Sequence, residues 1–517
     1  MAEAALPAPS DDGLDHAHWM VPVLVTLVGM FMSILDSSIV NVAISTMMNV
    51  FNTDTAGIEW VSTAYMLAMG MIVPMSAWLG EKLGLKELYI WCLIIFTIGS
   101  LACAMAWNLE SMIAARILQA VGGGLMQPTV MAMIYRLVPR QQIGSAMGIF
   151  GMALFVAPAI GPTLGGWLVE YIDWRWIFTI NLPVGAIGIV LALFFIPEFK
   201  HDGKVGKLDV PGAVTAGLGL AGLLYVLSEG NTWGWTSEAT VVCMAASIGL
   251  LVLFVVIELV TPEPLLELRV FLNRNFALAN VIVVITTIGM FSGLFYIPLF
   301  LQSIRGMGAM ETGLLMLPGA LLTGLMMPVS GRLYDKFGPK VVVAFGLLLM
   351  AAMTFEFGTI TLDTSLFTII VWNTLRGISM GLSMMPSQTA AMADMPLALV
   401  GRASAVTSIV RNVASSFGIA IMTVLLNDRN TFHHARISDS LNSDNPTFTS
   451  FLFDHPATGA SMLNANIAKQ SFVFGIQDVF LLTAGITLIA VLPTLFLKRA
   501  KKQQGPKPAS QPAAVME

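Results

Sequence analysis

A succession of apolar stretches, each long enough for a membrane-spanning helix, constrains this chain more than any other feature. A helix needs about 17–25 mostly apolar residues to cross the hydrocarbon core. The segments bounded by charges, prolines, glycines or tryptophans are 20–46, 59–79, 88–107, 111–135, 143–168, 177–197, 211–229, 239–260, 276–301, 314–333, 339–360, 366–391, 402–427 and 478–497. We therefore predict an all-α polytopic membrane protein with fourteen transmembrane helices.

Composition excludes several other classes of protein. Of the 517 residues, 56% are hydrophobic and only 11% are charged, whereas soluble domains carry about 25% charged residues. A soluble enzyme, a disordered scaffold and a nucleic-acid binder are excluded, so we expect no nucleic-acid partner. The lipid bilayer itself is the expected surrounding.

The positions of the basic residues predict the orientation. Of the 26 Lys and Arg residues, 18 fall on the side of the N-terminus and 5 on the other side. Cytoplasmic loops carry the excess of Lys and Arg, so we expect both termini in the cytoplasm and a multi-pass protein of the inner, cytoplasmic membrane. The acidic N-terminus lacks the basic start of a cleavable signal peptide.

The chain also repeats itself internally. The segment GEKLG (80–84) matches GRLYDKFGPK (331–340), and 108–124 matches 368–384, with offsets between 254 and 260 residues. Such repeats indicate two pseudo-symmetric halves that rock about a central site. The predicted regions are a cytoplasmic N-terminal tail (1–19), an N-terminal six-helix half (20–200), two inserted linker helices (201–275), a C-terminal six-helix half (276–497) with an extracytoplasmic loop (428–477), and a disordered cytoplasmic tail (498–517).

Four motifs carry a resemblance to a known family. They are LDSSIVNVAI (35–44), RILQAVGGG (116–124), GPTLGG (161–166) with WRWIFTINLPVG (174–185), and GRLYDKFGPK (331–340). Together they resemble the major facilitator superfamily, and within it the fourteen-helix drug:proton antiporters of the EmrB/QacA family. The segment RNTFHHARISDS (429–440) adds likeness to the EmrB branch. That likeness implies a periplasmic adaptor protein and an outer-membrane channel as candidate partners, and the loop 428–477 is either a solvated loop or an ordered docking surface.

Asp36 and Arg116 are the candidate proton-coupling residues. A carboxyl group inside a membrane is costly and faces a cavity or a partner. Asp36 lies in the outer half of the first span, and Arg116 enters the fourth span at a comparable depth. From the residues alone, Asp36 is a proton carrier or a structural hydrogen-bond acceptor. The resemblance favours proton transfer for both residues, although Ala120 stands where the family usually has Gly.

A gating latch is predicted in the loops that follow the second and tenth spans. The candidate latch residues are Gly331, Arg332, Asp335 and Gly338, with Glu81 and Gly84 in the first copy. The glycines permit a tight turn, and the aspartate can engage a helix N-terminus or a basic partner. The first copy has Glu for the usual Asp, so a weaker latch is expected there. The alternative is that both loops are simple basic turns on the cytoplasmic side.

The antiporter motif lies in the fifth span and consists of Gly161, Pro162, Gly165 and Gly166. Small residues allow close helix packing and Pro removes one helical hydrogen bond. The residues alone show a kinked, tightly packed helix. The resemblance implies that the motif seals the cavity against leakage.

Polar and adaptable side chains suggest a substrate cavity, since Met and Phe suit irregular apolar ligands. The candidates are Asn41, Gln119, Gln127, Phe291, Tyr296, Glu356, Arg376 and Arg411. Each arginine pairs with a carboxylate, binds an anionic substrate group or has a structural role, and Glu356 is a candidate for recognising cations. The Met and Phe residues taken singly also fit core packing.

These patterns predict a proton-coupled multidrug efflux antiporter for amphipathic, hydrophobic or cationic compounds, working by alternating access. The sequence contains no nucleotide-binding loop, catalytic triad, metal cluster or cofactor motif, so we expect no enzyme activity, no cofactor and no metal. One alternative keeps the fold but exports a lipid, a siderophore or a metabolite. An integral-membrane enzyme is the alternative of another class, and it is disfavoured.

Overall fold

Fourteen long helices account for most of the chain described by the computed structural model, which comprises residues 19–139, 142–199, 208–262, 264–393, 395–440 and 459–497. They are α1 (Met20–Val50), α2 (Thr55–Ile72, continued by Val73–Met75 and Ser76–Leu83), α3 (Leu85–Ala104), α4 (Leu109–Leu137), α5 (Ile143–Tyr171), α6 (Asn181–Phe195), α7 (Val210–Trp233), α8 (Glu238–Val260), α9 (Arg274–Leu299), α10 (Ala309–Phe337), α11 (Pro339–Phe357), α12 (Leu366–Met392), α13 (Leu397–Ser440) and α14 (Gly459–Ile489). The predicted tails lie, except for Trp19, outside the described residues.

Thirteen membrane-length apolar helices occur in this part of the chain, and α12 is the long helix that is not among them. Its buried face carries Asn373, Arg376, Ser379, Ser383, Ser387, Gln388 and Thr389, which lower its hydropathy. The helix is nevertheless packed between α10 and α11. The predicted all-α membrane fold is confirmed.

The two repeats share the same backbone turn. Gly84 separates α2 from α3 with φ +92°, and Gly338 separates α10 from α11 with φ +80°. These positive φ values disfavour residues with a Cβ atom. Equivalent turns at equivalent places support the internal duplication that the sequence indicates.

The inserted helices connect the two halves. Helix α7 packs against α8, against α2 of the first half and against α13 of the second half. The Trp60 ring on α2 lies 5.6 Å from the Tyr225 ring on α7, and Leu223 and Leu227 of α7 share an apolar cluster with Ala420 of α13. Helix α7 therefore bridges the halves beside the main bundle.

The apolar core is shared at one end of the bundle and divided at the other. We call the end at which α1 begins the inner end. There, one continuous cluster joins Met147 and Phe150 of the first half to Met327, Met385 and Val406 of the second. At the outer end the described residues form two clusters, one in each half. Apolar packing between the halves is thus continuous at the inner end and divided at the outer end, where α10 still meets α5: a Cβ atom at Gly313 would lie 3.8 Å from Pro162.

The predicted loop 428–477 is helical over much of its length. Helix α13 has 44 residues, about 66 Å of helix at 1.5 Å per residue, which is twice the thickness of a bilayer core. Asp478 of α14 accepts hydrogen bonds from Arg429 at 2.6 Å and interacts with His433 at 2.8 Å. These pairings hold the two polar helix ends together, and residues 441–458 lie outside the described residues.

Candidate functional site

A buried ion pair lies at the centre of the first half. Arg116 donates from Nη1 to Oδ2 of Asp36 at 2.6 Å, and both side chains are almost completely buried. Gln119 and Asn181 each donate to the other carboxylate oxygen, Oδ1, at 2.8 Å. Three donors therefore converge on Asp36, and hydrogen bonds to an ionised partner are the stronger kind.

Helices from across the first half supply this cluster. Ser100 of α3 accepts hydrogen bonds from Gln119 of α4 at 2.8 Å and from Asn181 of α6 at 3.3 Å. Helix α2 contributes the Val61 carbonyl oxygen, which accepts from Nε of Arg116 at 3.3 Å. The network thus links α1, α2, α3, α4 and α6 through hydrogen bonds to Asp36 and its partners.

An aromatic ring covers the guanidinium group. The Cζ atom of Arg116 lies 3.9 Å from the centre of the Tyr65 ring, within the range of a cation–π contact. Phe178 lies further away, with its ring centre 5.9 Å from the same atom. These rings exclude water from the ion pair and strengthen its electrostatics.

Sequence reasoning identified Asp36, Arg116 and Gln119 but missed Asn181 and Ser100. Asn181 stands inside the quoted motif WRWIFTINLPVG, and Ser100 stands in an otherwise apolar stretch of α3. The available signal was a polar side chain in a membrane span, since buried polar groups need partners. Gln119 was predicted to line a cavity and, from the family resemblance, to belong with Arg116 to a motif associated with proton transfer; its 0% exposure places it inside this network.

The charge balance of the Asp36–Arg116 pair depends on whether Asp36 is ionised. With Asp36 ionised, the carboxylate neutralises Arg116. A proton on Asp36 removes that charge and leaves a guanidinium buried without its counter-ion, which is costly. Protonation of Asp36 would therefore favour any rearrangement that gives Arg116 other partners.

The antiporter motif packs directly behind Asp36. A Cβ atom added at Gly161 would lie 2.5 Å from Oγ of Ser38, and one at Gly165 would lie 2.7 Å from the side chain of Ile39. Pro162 lacks the N–H that would bond the carbonyl of Pro158, and Ser38 of α1 donates to that carbonyl at 3.0 Å instead. Gly166 has no such neighbour within 4 Å. The motif therefore fixes α5 against α1 next to the ion pair.

The second-half latch loop docks on the start of α5. A Cβ atom at Gly144 would lie 3.0 Å from both carboxylate oxygens of Asp335 and 2.8 Å from the carbonyl oxygen of Gly331. Asp335 thus lies at a helix N-terminus, where the helix dipole favours negative charge. Arg332 is exposed.

The first-half latch residue has a partner that the sequence did not indicate. Nε and Nη2 of Arg402, near the start of α13, donate to the two carboxylate oxygens of Glu81 at 2.9 and 3.0 Å. This two-pronged contact is a strong geometry for an ion pair. It joins the halves at the inner end, where a weaker latch was expected.

The remaining cavity candidates differ in their burial. Tyr296 and Arg376 are buried between helices: Tyr296 shares a hydrogen bond of 3.3 Å with Thr423, and Arg376 donates to backbone oxygens of α9. Asn41 is exposed in the outer half of α1. Gln127, Phe291, Glu356 and Arg411 are half-buried. Burial removes Tyr296 and Arg376 from an open cavity and leaves the others available.

Two helical halves of membrane-length apolar helices, with a buried ion pair in the first half, define the architecture. The sequence profile of the Major Facilitator Superfamily matches residues 26–419. The chain belongs to the major facilitator superfamily, whose members are transporters and not enzymes.

Similar proteins are bacterial transporters. The Uncharacterized MFS-type transporter YhcA of Bacillus subtilis is 35% identical over 499 residues, with 93% of each chain covered. The Lincomycin resistance protein LmrB of the same organism is 28% identical, covering 93% of this chain and 96% of its own. The Multidrug resistance protein B homolog of Mycobacterium tuberculosis is 32% identical over 410 residues, covering 78% of this chain and 75% of its own.

Solved structures agree at the level of the fold. The proton:xylose symporter XylE superposes with a TM-score of 0.61 at 14% identity, covering 93% of this chain and 96% of its own. The human organic anion transporter MFSD10 gives 0.60 at 13% identity, covering 92% and 99%. At sequence identities this low, the similarity shows the fold alone.

Proposed function

We propose that this protein is a proton-coupled antiporter of the cytoplasmic membrane, which exports amphipathic, hydrophobic or cationic compounds while protons enter. Both termini then lie in the cytoplasm, and the inner end of the bundle is the cytoplasmic end. The buried Asp36–Arg116 pair is the observation that carries the proposal, because a proton on Asp36 changes the charge balance of the whole first half.

The state of the bundle supports alternating access. A shared inner core and divided outer cores leave the centre approachable from the outer end. In the proposed cycle, a proton from outside neutralises Asp36, Arg116 exchanges its partner, and the inner contacts open. Release of that proton to the cytoplasm then accompanies binding of the exported compound.

The comparisons support the class of substrate. Relatives over most of the chain are named for lincomycin resistance and multidrug resistance. Export of small drug-like molecules is therefore the proposed activity here. The periplasmic adaptor and outer-membrane channel that the EmrB likeness implies stay a prediction, with the helical ends of α13 and α14 as the expected docking surface.

The test is Asp36→Asn in proteoliposomes with an imposed proton gradient, because the amide keeps the size of the side chain but cannot carry a proton. We expect drug-stimulated proton flux to fall to the level of empty liposomes, with normal abundance and folding. Asp363→Asn, in an exposed loop, is the matched control and should transport normally. Coupled transport at the wild-type rate in Asp36→Asn would refute the proposal.

A further inference from the structure

A second pair of acidic residues lies at the inner ends of the inserted helices. Asp209 caps α7, with Oδ1 accepting from the Gly212 N–H at 2.9 Å. Glu258 lies in the last turn of α8, and its Oε2 accepts from the Leu266 N–H at 3.1 Å. Their exposed fractions are only 9% and 2%. Each buried carboxyl group therefore has one oxygen that accepts a hydrogen bond from a backbone N–H.

The other oxygen of each carboxyl group lies beside Gly212. Oδ2 of Asp209 and Oε1 of Glu258 are buried without a hydrogen-bond partner in the described part of the chain. A Cβ atom built at Gly212 would lie 2.5 Å from the first and 2.9 Å from the second. Both orphan oxygens therefore adjoin the same point, in a space that only a glycine leaves open.

Two ionised carboxylates in this arrangement would repel each other out of reach of water. Burial and a neighbouring like charge both oppose a second negative charge here, and one proton shared between two adjoining carboxyl groups removes the repulsion. A carboxyl group that donates to a carboxylate satisfies both orphan oxygens at once.

Other charged groups nearby do not replace that proton. Glu267 acts on Glu258 as a further negative charge, and Arg402 acts on it as a positive one. Arg402, however, holds Glu81 with two of its donors, and Arg269 lies beside Glu267 at 3.9 Å. Lys204 and Lys207 precede Asp209 in the sequence but lie outside the described residues, so the test includes them.

We propose that Asp209 and Glu258 share one proton and form a second proton-binding site, distinct from Asp36. The site lies at the inner ends of α7 and α8, the inserted helices. The positive charge of Arg402 acts on Glu258 there. Loss of the shared proton adds negative charge beside Arg402, which competes with Glu81 for the guanidinium and loosens the inner ion pair. This last step rests on the proposed alternating cycle, whereas the proton site does not.

The experiment is infrared difference spectroscopy on the purified full-length protein at neutral pH. We expect the C=O stretching band of one protonated carboxylic acid in the wild type, and its loss in both E258Q and D209N. Gln at 258 can still donate to Asp209, so E258Q should fold. D36N should keep the band, which separates this site from the proposed coupling residue and from any failure of coupled transport.

Three results would overturn the inference. The first is an unchanged band in both E258Q and D209N. The second is the absence of such a band in the wild type, together with a thermal stability that rises with added sodium or potassium ions, which would indicate a bound cation. The third is the appearance of the band only when Lys204 and Lys207 are both replaced by Gln, which would indicate a lysine as the partner. A thermal midpoint that falls with rising pH in the wild type, but not in E258Q, would support the shared proton.

Discussion

The two halves treat their membrane-embedded arginines differently. Arg116 has Asp36 as its counter-ion, whereas Arg376 donates to the Gly289 carbonyl oxygen and has no carboxylate partner among the described residues. Gly293 stands 257 residues after Asp36, within the offset of the repeat. The second half therefore holds its arginine with backbone oxygens and not with a carboxylate.

Asn181 tests how far the neighbours of Asp36 matter. Asn181→Ala removes one of its three donors, and a hydrogen bond to a charged group contributes about 1.5–3 kcal/mol. We expect coupled transport to fall at least about tenfold, measured as drug-stimulated proton flux. Asn49→Ala, at the exposed end of α1, is the control. Wild-type flux in Asn181→Ala would show that this donor is dispensable.

Gly293 tests the packing of Arg376. A Cβ atom there would overlap the Arg376 guanidinium group, so Gly293→Ala should displace the side chain or α9. Overpacking of this kind costs about 1–3 kcal/mol, and we expect a lower thermal unfolding midpoint in detergent. Gly485→Ala, where nothing lies within 4 Å, should leave it unchanged. Equal midpoints for the two variants would contradict the overlap.

At the scale of helices, the sequence predicted fourteen spans, and the described residues form fourteen long helices in that order, thirteen of which are apolar enough to cross a membrane. The packing partners of the helices were not predicted. Apolar length and the repeat are local properties, so the spans and the turns at Gly84 and Gly338 follow from them. Which faces meet depends on the rotation and tilt of each helix, and these are set by packing. The Glu81–Arg402 pair and the place of Asn181 beside Asp36 were therefore missed. The sequence predicts a loop over 428–477 because the residues there are polar, whereas the outer ends of α13 and α14 are helical.

The Glu81–Arg402 pair should bias the transport cycle. A half-exposed ion pair contributes up to about 1 kcal/mol, so Glu81→Gln should raise the population open at the inner end about fivefold. Distances between spin labels on the inner ends of α2 and α13 measure that population. Lys82→Gln, beside it and exposed, is the control. The double exchange Glu81→Arg with Arg402→Glu should restore the distances, and failure of both effects would rule out a latch.

At the scale of the whole molecule, the apolar core is continuous between the halves at the inner end and divided at the outer end, which predicts different access of water to the two ends. Asn41 is exposed on the outer part of α1, with Oδ1 3.4 Å from the Ser62 hydroxyl. Thr129 on α4 is 2% exposed near the inner end. Asn41 therefore reports on access of water from the outer end, and Thr129 on access from the inner end.

Cysteine labelling can check this asymmetry. In a background without Cys92, Cys103 and Cys243, Asn41→Cys should react from outside the cell with a maleimide that does not cross the membrane. Thr129→Cys should stay unreactive from either side until Glu81→Gln opens the inner end. Rapid labelling of Thr129→Cys with the latch intact would mean that the resting state is not the one described.

The length of α13 has a mechanical consequence. The helix runs from the inner ion pair at Arg402 through the membrane to Ser440 with no proline inside it. About 20 of its residues, or roughly 30 Å, extend beyond the hydrocarbon core. A tilt of the second half by about 10° would swing that tip sideways by roughly 5 Å. In the proposed cycle, the protruding end is therefore expected to move on the far side of the membrane at each turnover.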